Sequence, residues 1–138
     1  MTVRSFIDTN ILVYADSADS GSKQSIAANL VHAHMTAGSG VLSTQVLQEF
    51  VSAALRKLVM PADLIRERLE FFASFELVPA SASMISLALD LKVRWGLSFY
   101  DALIVQAARQ SGCAQLLTED MSTGAVIAGV RLVNPFDG

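Results

Sequence analysis

Four acidic residues stand where predicted strands and helices meet. Asp8 lies where the first predicted strand stops, and Asp120 lies just after a later one, "AQLL". Glu49 is in the second turn of one predicted helix, and Asp101 is in the first turn of another, "SFYDALIV". Because ligands of open α/β sheets gather outside the carboxyl ends of the strands, we expect these four side chains to meet at that edge.

Carboxylates gathered in this way need a cation. Two carboxylates about 4 Å apart repel each other by ~4 kcal/mol at an effective dielectric constant near 20. Mg²⁺ prefers oxygen ligands, keeps several waters, and binds through one or two carboxylates together with substrate phosphates. Such an ion also lowers the pKa of a bound water and stabilises the leaving oxygen of an in-line displacement. The acids therefore predict metal-dependent phosphodiester hydrolysis.

Each acid also has a structural explanation when it is taken alone. Asp8 could cap a helix, although Asn10 or Thr9 could start that helix and make Asp8 unnecessary as a cap. Asp101 could be a capping-box partner, Glu49 could lie on the solvated face of its helix, and Asp120 could be a turn residue. All four explanations would have to coincide at one edge of the sheet, and we therefore prefer the metal site.

The elements that must position these acids follow from the pattern of the whole chain. Short apolar segments alternate with amphipathic ones, which predicts an α/β fold with a central, mainly parallel sheet flanked by helices. The length of 138 residues is that of a single domain, residues 1–138. Hydrophobic residues make up 52% of the chain and charged residues 17%, which predicts a packed core rather than disorder.

Composition also narrows the class of protein. The net charge of −3 gives no sign of a nucleic-acid partner held by charge alone. No apolar segment approaches the ~18–20 residues that span a bilayer, and no signal peptide is evident, so we expect a cytoplasmic protein. A single cysteine, Cys113, excludes an internal disulfide and a thiolate metal site.

Several segments of the chain resemble a known family when they are taken in order. They are "FIDTNILVY", "STQVLQEF", "LSFYDALIVQAA", "LLTEDM" and "VRLVNPF". Together they resemble the PIN-domain ribonucleases, and among these the VapC-type toxins of bacterial toxin–antitoxin pairs, from about Ser5 to Phe136. The resemblance implies a Rossmann-like PIN fold, dependence on Mg²⁺ or Mn²⁺, endonucleolytic cleavage of RNA, homodimerisation and inhibition by a cognate antitoxin.

The resemblance also implies a role for each acid. It makes Asp8 and Asp101 direct metal ligands, Glu49 a direct or water-mediated ligand, and Asp120 a ligand that often acts through water. Two polar neighbours, which would orient the acids or waters, are Asn10 and Thr118. The turn "MSTG" after Asp120 lacks the histidine of many relatives, and this difference concerns only loop contacts.

Three other functions compete with the ribonuclease as explanations of the acids. A receiver-type signalling module needs a lysine at a late strand end, but Lys23, Lys57 and Lys92 do not follow predicted strands. A phosphatase with an aspartyl nucleophile would need an acid where Asn10 stands. A catalytically silent PIN domain that binds RNA or a partner remains the alternative, although all four acids are present.

Helical periodicity makes further predictions about packing. The helix "TQVLQEFVSAALRKLV" is expected to face inward through Leu47, Val51, Ala54, Leu55 and Leu58. The helix "PADLIRERLEFFASF" has an apolar face that a neighbouring helix, a dimer partner or an antitoxin helix would cover. We expect Trp95 in the core, whereas Tyr100 could stack on a base. Four cations could guide RNA or be solvated: Arg56, Lys57, Arg66 and Arg68.

Overall fold

A computed structural model describes residues 3–137; residues 1, 2 and 138 of the predicted single domain lie outside the described residues. The strands within this range are β1 Ser5–Ile7, β2 Gly40–Ser43, β3 Glu76–Val78, β4 Gln115–Leu117, β5 Val126–Ile127 and β6 Val130–Val133. The helices are α1 Thr9–Ala15, α2 Ser22–Ala37, α3 Thr44–Arg56, α4 Ala62–Phe72, α5 Ala82–Trp95 and α6 Phe99–Gln110.

The strands form one sheet in the order β3-β2-β1-β4-β6-β5. Neighbouring strands are parallel from β3 to β6, and β5 pairs with β6 in the antiparallel direction. This architecture confirms the predicted α/β class and the mainly parallel sheet. β5 has only two residues, too few to show the alternation that predicts a strand, and the sequence pattern therefore does not reveal it.

Capping residues place helices directly after strands. Ser43, Ser81 and Ser98 each accept a hydrogen bond from the backbone N–H three residues later, at the start of α3, α5 and α6. Asp8 is the N-cap of α1. Because an N-cap satisfies a free N–H of the first helical turn, β1 and β2 continue into α1 and α3 without a loop. These junctions put the starts of both helices at the carboxyl edge of the sheet.

The core lies around the middle strands and α6. Phe6, Val41 and Leu116 occupy neighbouring positions on three adjacent strands and are fully buried. Residues 102–108 of α6 are all buried, and this helix contacts β1, β2, β4 and β6. A helix that is buried around its whole circumference is an interior helix. Its packing fixes the first turn, and with it Asp101, relative to the sheet.

The inward face of α3 differs from the predicted one. Its buried residues are Val46, Phe50 and Ala54. Leu55 is 53% exposed, and the other predicted inward residues are only partly buried: Leu47, Val51 and Leu58. Phe50 packs edge to face against Phe72 of α4, with ring centroids 5.0 Å apart. The buried face of α3 is therefore displaced by about one residue position from the predicted face. The prediction was correct only for Ala54.

The broad apolar face of α4 is largely covered within the chain. Ile65, Phe72 and Phe75 are buried, and α4 packs against α3. Leu64, Leu69 and Phe71 are partly buried against the same core. A neighbouring helix of this chain therefore covers much of the face for which a partner was one of the predicted explanations.

Exposed apolar residues concentrate on α5 instead. Ile85, Leu89 and Val93 lie four residues apart, and they are 44%, 52% and 77% exposed. Trp95 was expected in the core but is 43% exposed, because it is the last residue of α5 and the chain turns away at Gly96. Within the described residues, none of the helices has both the length and the apolar character needed to cross a bilayer.

Candidate functional site

All four predicted acids line one cavity of about 830 Å³ at the carboxyl edge of the sheet. Asp8 follows β1 directly, and Asp120 follows β4 after two residues. Glu49 and Asp101 come from the helices α3 and α6. Helices and strands that are far apart in the chain thus bring these carboxylates to the same cavity, as the parallel sheet predicts.

Asp8 is held at both of its carboxylate oxygens. Its Oδ1 accepts a hydrogen bond from the backbone N–H of Thr9 at 2.7 Å, and its Oδ2 accepts one from the Thr118 hydroxyl at 2.8 Å. The side chain is only 7% exposed. The expectation that Asn10 or Thr9 would replace Asp8 as the helix cap was wrong, because α1 begins at Thr9 itself. Asp8 therefore caps α1 and also faces the cavity.

Burial raises the pKa of Asp8 from 3.8 to about 6. The hydrogen bonds from Thr118 and Thr9 lower the pKa, but they do not offset the loss of solvation. The charges of Asp120 and Glu49 raise it further. A buried carboxylate among like charges is stabilised in its ionised form by a nearby cation. Asp8 therefore has the electrostatics expected of a cation ligand.

The first two residues of α1 each hold another acid. The Thr9 hydroxyl donates to Glu49 Oε1 at 2.6 Å, and Asn10 Nδ2 donates to Asp120 Oδ2 at 2.8 Å. Thr118 accepts a hydrogen bond from the backbone N–H of Asp120 at 3.1 Å. Asn10 and Thr118 thus contact the acids, as their predicted role requires. The role of Thr9 was missed, and its position directly after Asp8 was the only signal.

Asp101 is the least constrained of the four carboxylates. Its backbone N–H donates to Ser98 Oγ at 3.1 Å, so the predicted capping contact is present. Within residues 3–137, its carboxylate makes neither a hydrogen bond nor an ion pair. Since the backbone makes the capping contact, the carboxylate on the cavity wall is left for another partner.

The donor set suits a hard divalent ion that retains water. Within the described part of the chain, no three acidic, histidine or cysteine side chains converge into a ready-made metal cage. Neutral donors separate the acids instead, and the ligands on offer are carboxylate oxygens. Mg²⁺ is bound in this way, through one or two carboxylates with several waters retained, so these residues fit Mg²⁺ or the similar Mn²⁺.

Comparison with known families agrees with this arrangement. Residues 5–122 match the sequence profile of the PIN domain family. The chain belongs to the PIN-domain family. This match confirms the resemblance drawn from the sequence, and the α/β architecture of the PIN domain is the one described above. No curated protein sequence matches the chain.

Solved structures with low sequence identity share the PIN fold. A toxin–antitoxin complex from Klebsiella pneumoniae is 20% identical, covers 96% of this chain and 98% of that chain, and has a TM-score of 0.72. VapC20 of Mycobacterium tuberculosis, a toxin that cleaves the sarcin–ricin loop, is 18% identical with coverages of 84% and 89% and a TM-score of 0.69. VapBC2 of Rickettsia felis, bound to promoter DNA, is 20% identical with coverages of 93% and 96% and a TM-score of 0.65.

A second network in this PIN domain occupies Glu119, the neighbour of Asp120. The Tyr14 hydroxyl donates to Glu119 Oε1 at 2.5 Å, and Lys23 forms an ion pair with Oε2. Lys23, followed by Tyr14, lowers the pKa of Glu119. The Lys23 ammonium also lies over the rings of Tyr14 and Phe136, 4.9 and 5.4 Å from their centroids. Sequence reasoning missed this network because its members are 96 and 105 residues from Glu119.

The four cations singled out from the sequence separate into two pairs. Arg66 pairs with Asp63, and Arg68 makes a bidentate pair with Asp16, so both are engaged within the PIN domain. Arg56 and Lys57 line the cavity that contains the acids. The structure therefore leaves Arg56 and Lys57 as the cations of interest for this site.

Proposed function

We propose that this PIN domain is a metal-dependent endoribonuclease of the VapC type, which hydrolyses RNA phosphodiester bonds as the toxin of a toxin–antitoxin pair. The observation that carries the proposal is the environment of Asp8. A carboxylate that is 7% exposed and lies near two further acids is unfavourable unless a cation joins it. PIN-domain membership and the cleavage activity of the structurally similar VapC20 support the same conclusion.

Each acid has a defined part in the proposed reaction. Asp8 and Asp101 would hold Mg²⁺ or Mn²⁺ directly, and Glu49 and Asp120 would bind directly or through water. A bound ion would supply Lewis acidity, which lowers the pKa of a water and stabilises the leaving oxygen. Thr9 and Asn10 orient the two outer acids through the hydrogen bonds described above. The ordered donors keep the acids in position before substrate binds, which reduces the reorganisation that the reaction requires.

The proposed partners are an antitoxin and a second copy of the chain. An apolar cavity of about 300 Å³ between α1, α2 and α4, lined in part by Leu12, Val31 and Phe71, supports binding of an antitoxin helix. The exposed stripe of Ile85, Leu89 and Val93 on α5 supports homodimerisation. Similar structures that contain toxin and antitoxin together also support this assignment.

Cleavage of purified RNA with Mg²⁺ or Mn²⁺ tests the proposal directly. Asp8→Asn and Asp101→Asn should each reduce the rate by about 100-fold or more, because each removes a carboxylate that would hold the metal ion. Asp90→Asn is the matched control, since Asp90 is exposed on α5 outside the cavity. A chelator should stop cleavage by the parent chain.

Two results would contradict the proposed site. Equal cleavage by the parent, Asp8→Asn and Asp101→Asn would show that the reaction takes place elsewhere or belongs to a contaminant. RNA binding by the parent without cleavage at any concentration of Mg²⁺ or Mn²⁺ would identify a catalytically silent PIN domain instead.

A further inference from the structure

The cavity that contains the acids has an uneven distribution of charge. Seven acidic residues line it: Asp8, Asp16, Asp19, Glu49, Asp101, Glu119 and Asp120. Among the described residues, its only basic lining residues are Arg56 and Lys57. A divalent ion among the acids would offset part of this charge, but a strand of nucleic acid carries a charge at every phosphate. The two cations therefore lie on a cavity wall where they could bind the phosphates of such a strand.

Arg56 and Lys57 are not used elsewhere in the described chain. Both side chains are exposed, and within residues 3–137 neither forms an ion pair. Arg56 is the last residue of α3 and Lys57 is its C-cap. Cations at a helix C-terminus are favourable by only about 0.3–1 kcal/mol when exposed. This small stabilisation of the helix end does not explain why both side chains line the cavity.

A stripe along α3 connects these cations to the acids. Gln45, Glu49, Ser52 and Arg56 recur three or four residues apart and all line the cavity. At 1.5 Å per residue, Arg56 lies about 10 Å along the helix axis from Glu49 and about 16 Å from Gln45. The cavity wall is therefore long enough to contact more of a strand than the phosphate that is cleaved.

The opposite end of this stripe carries an aromatic ring. Gln45 Nε2 donates to the backbone carbonyl of Tyr100 at 3.4 Å, which joins α3 to the start of α6. Tyr100 is 65% exposed and lines the cavity. Its ring packs edge to face against Phe99, with ring centroids 5.6 Å apart. An exposed ring at the edge of a polar cavity is available to stack on a planar group.

We propose that this wall binds single-stranded RNA on both sides of the cleaved bond. Arg56 and Lys57 bind phosphates on one side of the cleaved phosphate, and Tyr100 stacks on a base on the other side. A single strand is required, because the bases of an A-form duplex are stacked and unavailable to an aromatic side chain. This inference rests on the proposed ribonuclease function and assigns three substrate-binding residues beside its acids: Arg56, Lys57 and Tyr100.

The salt dependence of RNA binding tests the phosphate contacts. Affinity of a fluorescently labelled single-stranded RNA is measured by anisotropy with Mg²⁺ at several KCl concentrations, in the Asp101→Asn background so that the RNA stays intact. Each phosphate contact contributes about 0.7 to the slope of log K against log salt for single strands. Arg56→Gln with Lys57→Gln should therefore reduce the magnitude of the slope by about 1.4.

The matched control removes the same charge elsewhere. Arg109→Gln with Arg131→Gln removes two exposed cations that do not line the cavity, and the slope should stay close to that of the Asp101→Asn chain. Arg56→Lys with Lys57→Arg should retain the slope, because both charges remain. An equal change of slope in the Gln pair at the cavity and in the control pair would overturn the phosphate assignment.

Replacement of Tyr100 tests the base contact. Tyr100→Leu should weaken binding by about tenfold at every salt concentration and leave the slope unchanged, because stacking carries no charge. A blunt-ended RNA duplex should bind more weakly than the single strand and should not respond to Tyr100→Leu. Equal affinity for paired and single-stranded RNA would overturn the inference. Failure of the parent chain to cleave RNA, with the predicted slopes intact, would contradict the ribonuclease alone.

Discussion

Asp8 and His34 are buried to nearly the same extent, 7% and 6% exposed, at opposite edges of the parallel sheet. His34 lies in the last turn of α2, before the amino end of β2, and its Nδ1 is 2.8 Å from Ser39 Oγ. Burial lowers the pKa of His34 and favours the neutral ring. Asp8 also has hydrogen-bond partners, yet its pKa rises to about 6 beside other acids.

The difference shows how burial can serve either structure or chemistry. At His34 the Nδ1 of a neutral ring is paired with one hydroxyl, and the ring does not line the cavity that contains the acids. At Asp8 the two hydrogen bonds do not offset the loss of solvation of the carboxylate. A large cavity adjoins the side chain. Perturbed groups of the second kind cluster at functional sites. Three variants test whether the two regions differ in this way.

The largest expected effect is on the metal-free stability of Asp8→Asn. The folded pKa of about 6 exceeds the ordinary 3.8, so the unfolded chain loses its proton first and stability falls as the pH rises between these values. At neutral pH this costs the parent about 3 kcal/mol. Asn also caps helices well, so Asp8→Asn should raise the free energy of unfolding in chelator.

Denaturant unfolding at pH 7.5 and pH 4, with chelator and then with Mg²⁺, measures this effect. The advantage of Asp8→Asn should shrink at pH 4, and Mg²⁺ should stabilise the parent more than the variant, because a ligand of the folded state raises stability. A parent that is more stable than Asp8→Asn in chelator at neutral pH would show that the carboxylate is a structural group like His34.

The next effect concerns packing in the region of His34. A Cβ on Gly40 would lie 2.5 Å from Cε2 of Phe75 and 3.2 Å from Cβ of His34. Gly40→Ala should therefore lower the free energy of unfolding by about 2 kcal/mol, the usual cost of overpacking. The proposed RNA cleavage should be retained at a temperature where the variant is folded.

A second substitution distinguishes overpacking from other causes. Phe75→Leu removes the ring edge that the methyl group of Gly40→Ala would contact, so the double variant should lose less than the sum of the two single losses. Chemical denaturation of all four chains gives this coupling. Strict additivity would mean that Phe75 is not the group that the added methyl displaces.

The smallest expected effect is on the pH dependence of stability at His34. Its folded pKa lies below the ordinary value of about 6.5, so the unfolded chain takes up a proton first as the pH falls. The stability associated with neutral His34 is complete above pH ~6.5 and is lost as the pH falls below it. His34→Asn should flatten the acid side of the stability profile in a series of denaturant melts.

His32→Asn provides the control, since it removes an exposed histidine from the same helix. A profile for His34→Asn that coincides with that of the parent between pH 7 and pH 5 would contradict the burial of a neutral ring at this position.

Much of the site could be predicted because a parallel sheet imposes its geometry on the chain. β1, β2 and β4 are short apolar segments, and their order of pairing brings Asp8 and Asp120 to one edge. The rotation of α3 was not predictable from periodicity, because apolar residues occur on more than one side of this helix and a contact with Phe72 decides among them. The pairing of Glu119 with Tyr14 and Lys23 depends on tertiary structure alone.

The hydrogen bonds of the Asp8–Thr9–Asn10 segment have a consequence for biosynthesis. Asp8 and Thr118 are 110 residues apart, and so are Asn10 and Asp120. Asp8 emerges from the ribosome first, but the partners that position it emerge only after about another 110 residues have been translated. Closing so long a loop is also among the slower steps of folding. A polypeptide released before Thr118 therefore lacks an assembled acidic site, and truncated products should not have the proposed activity.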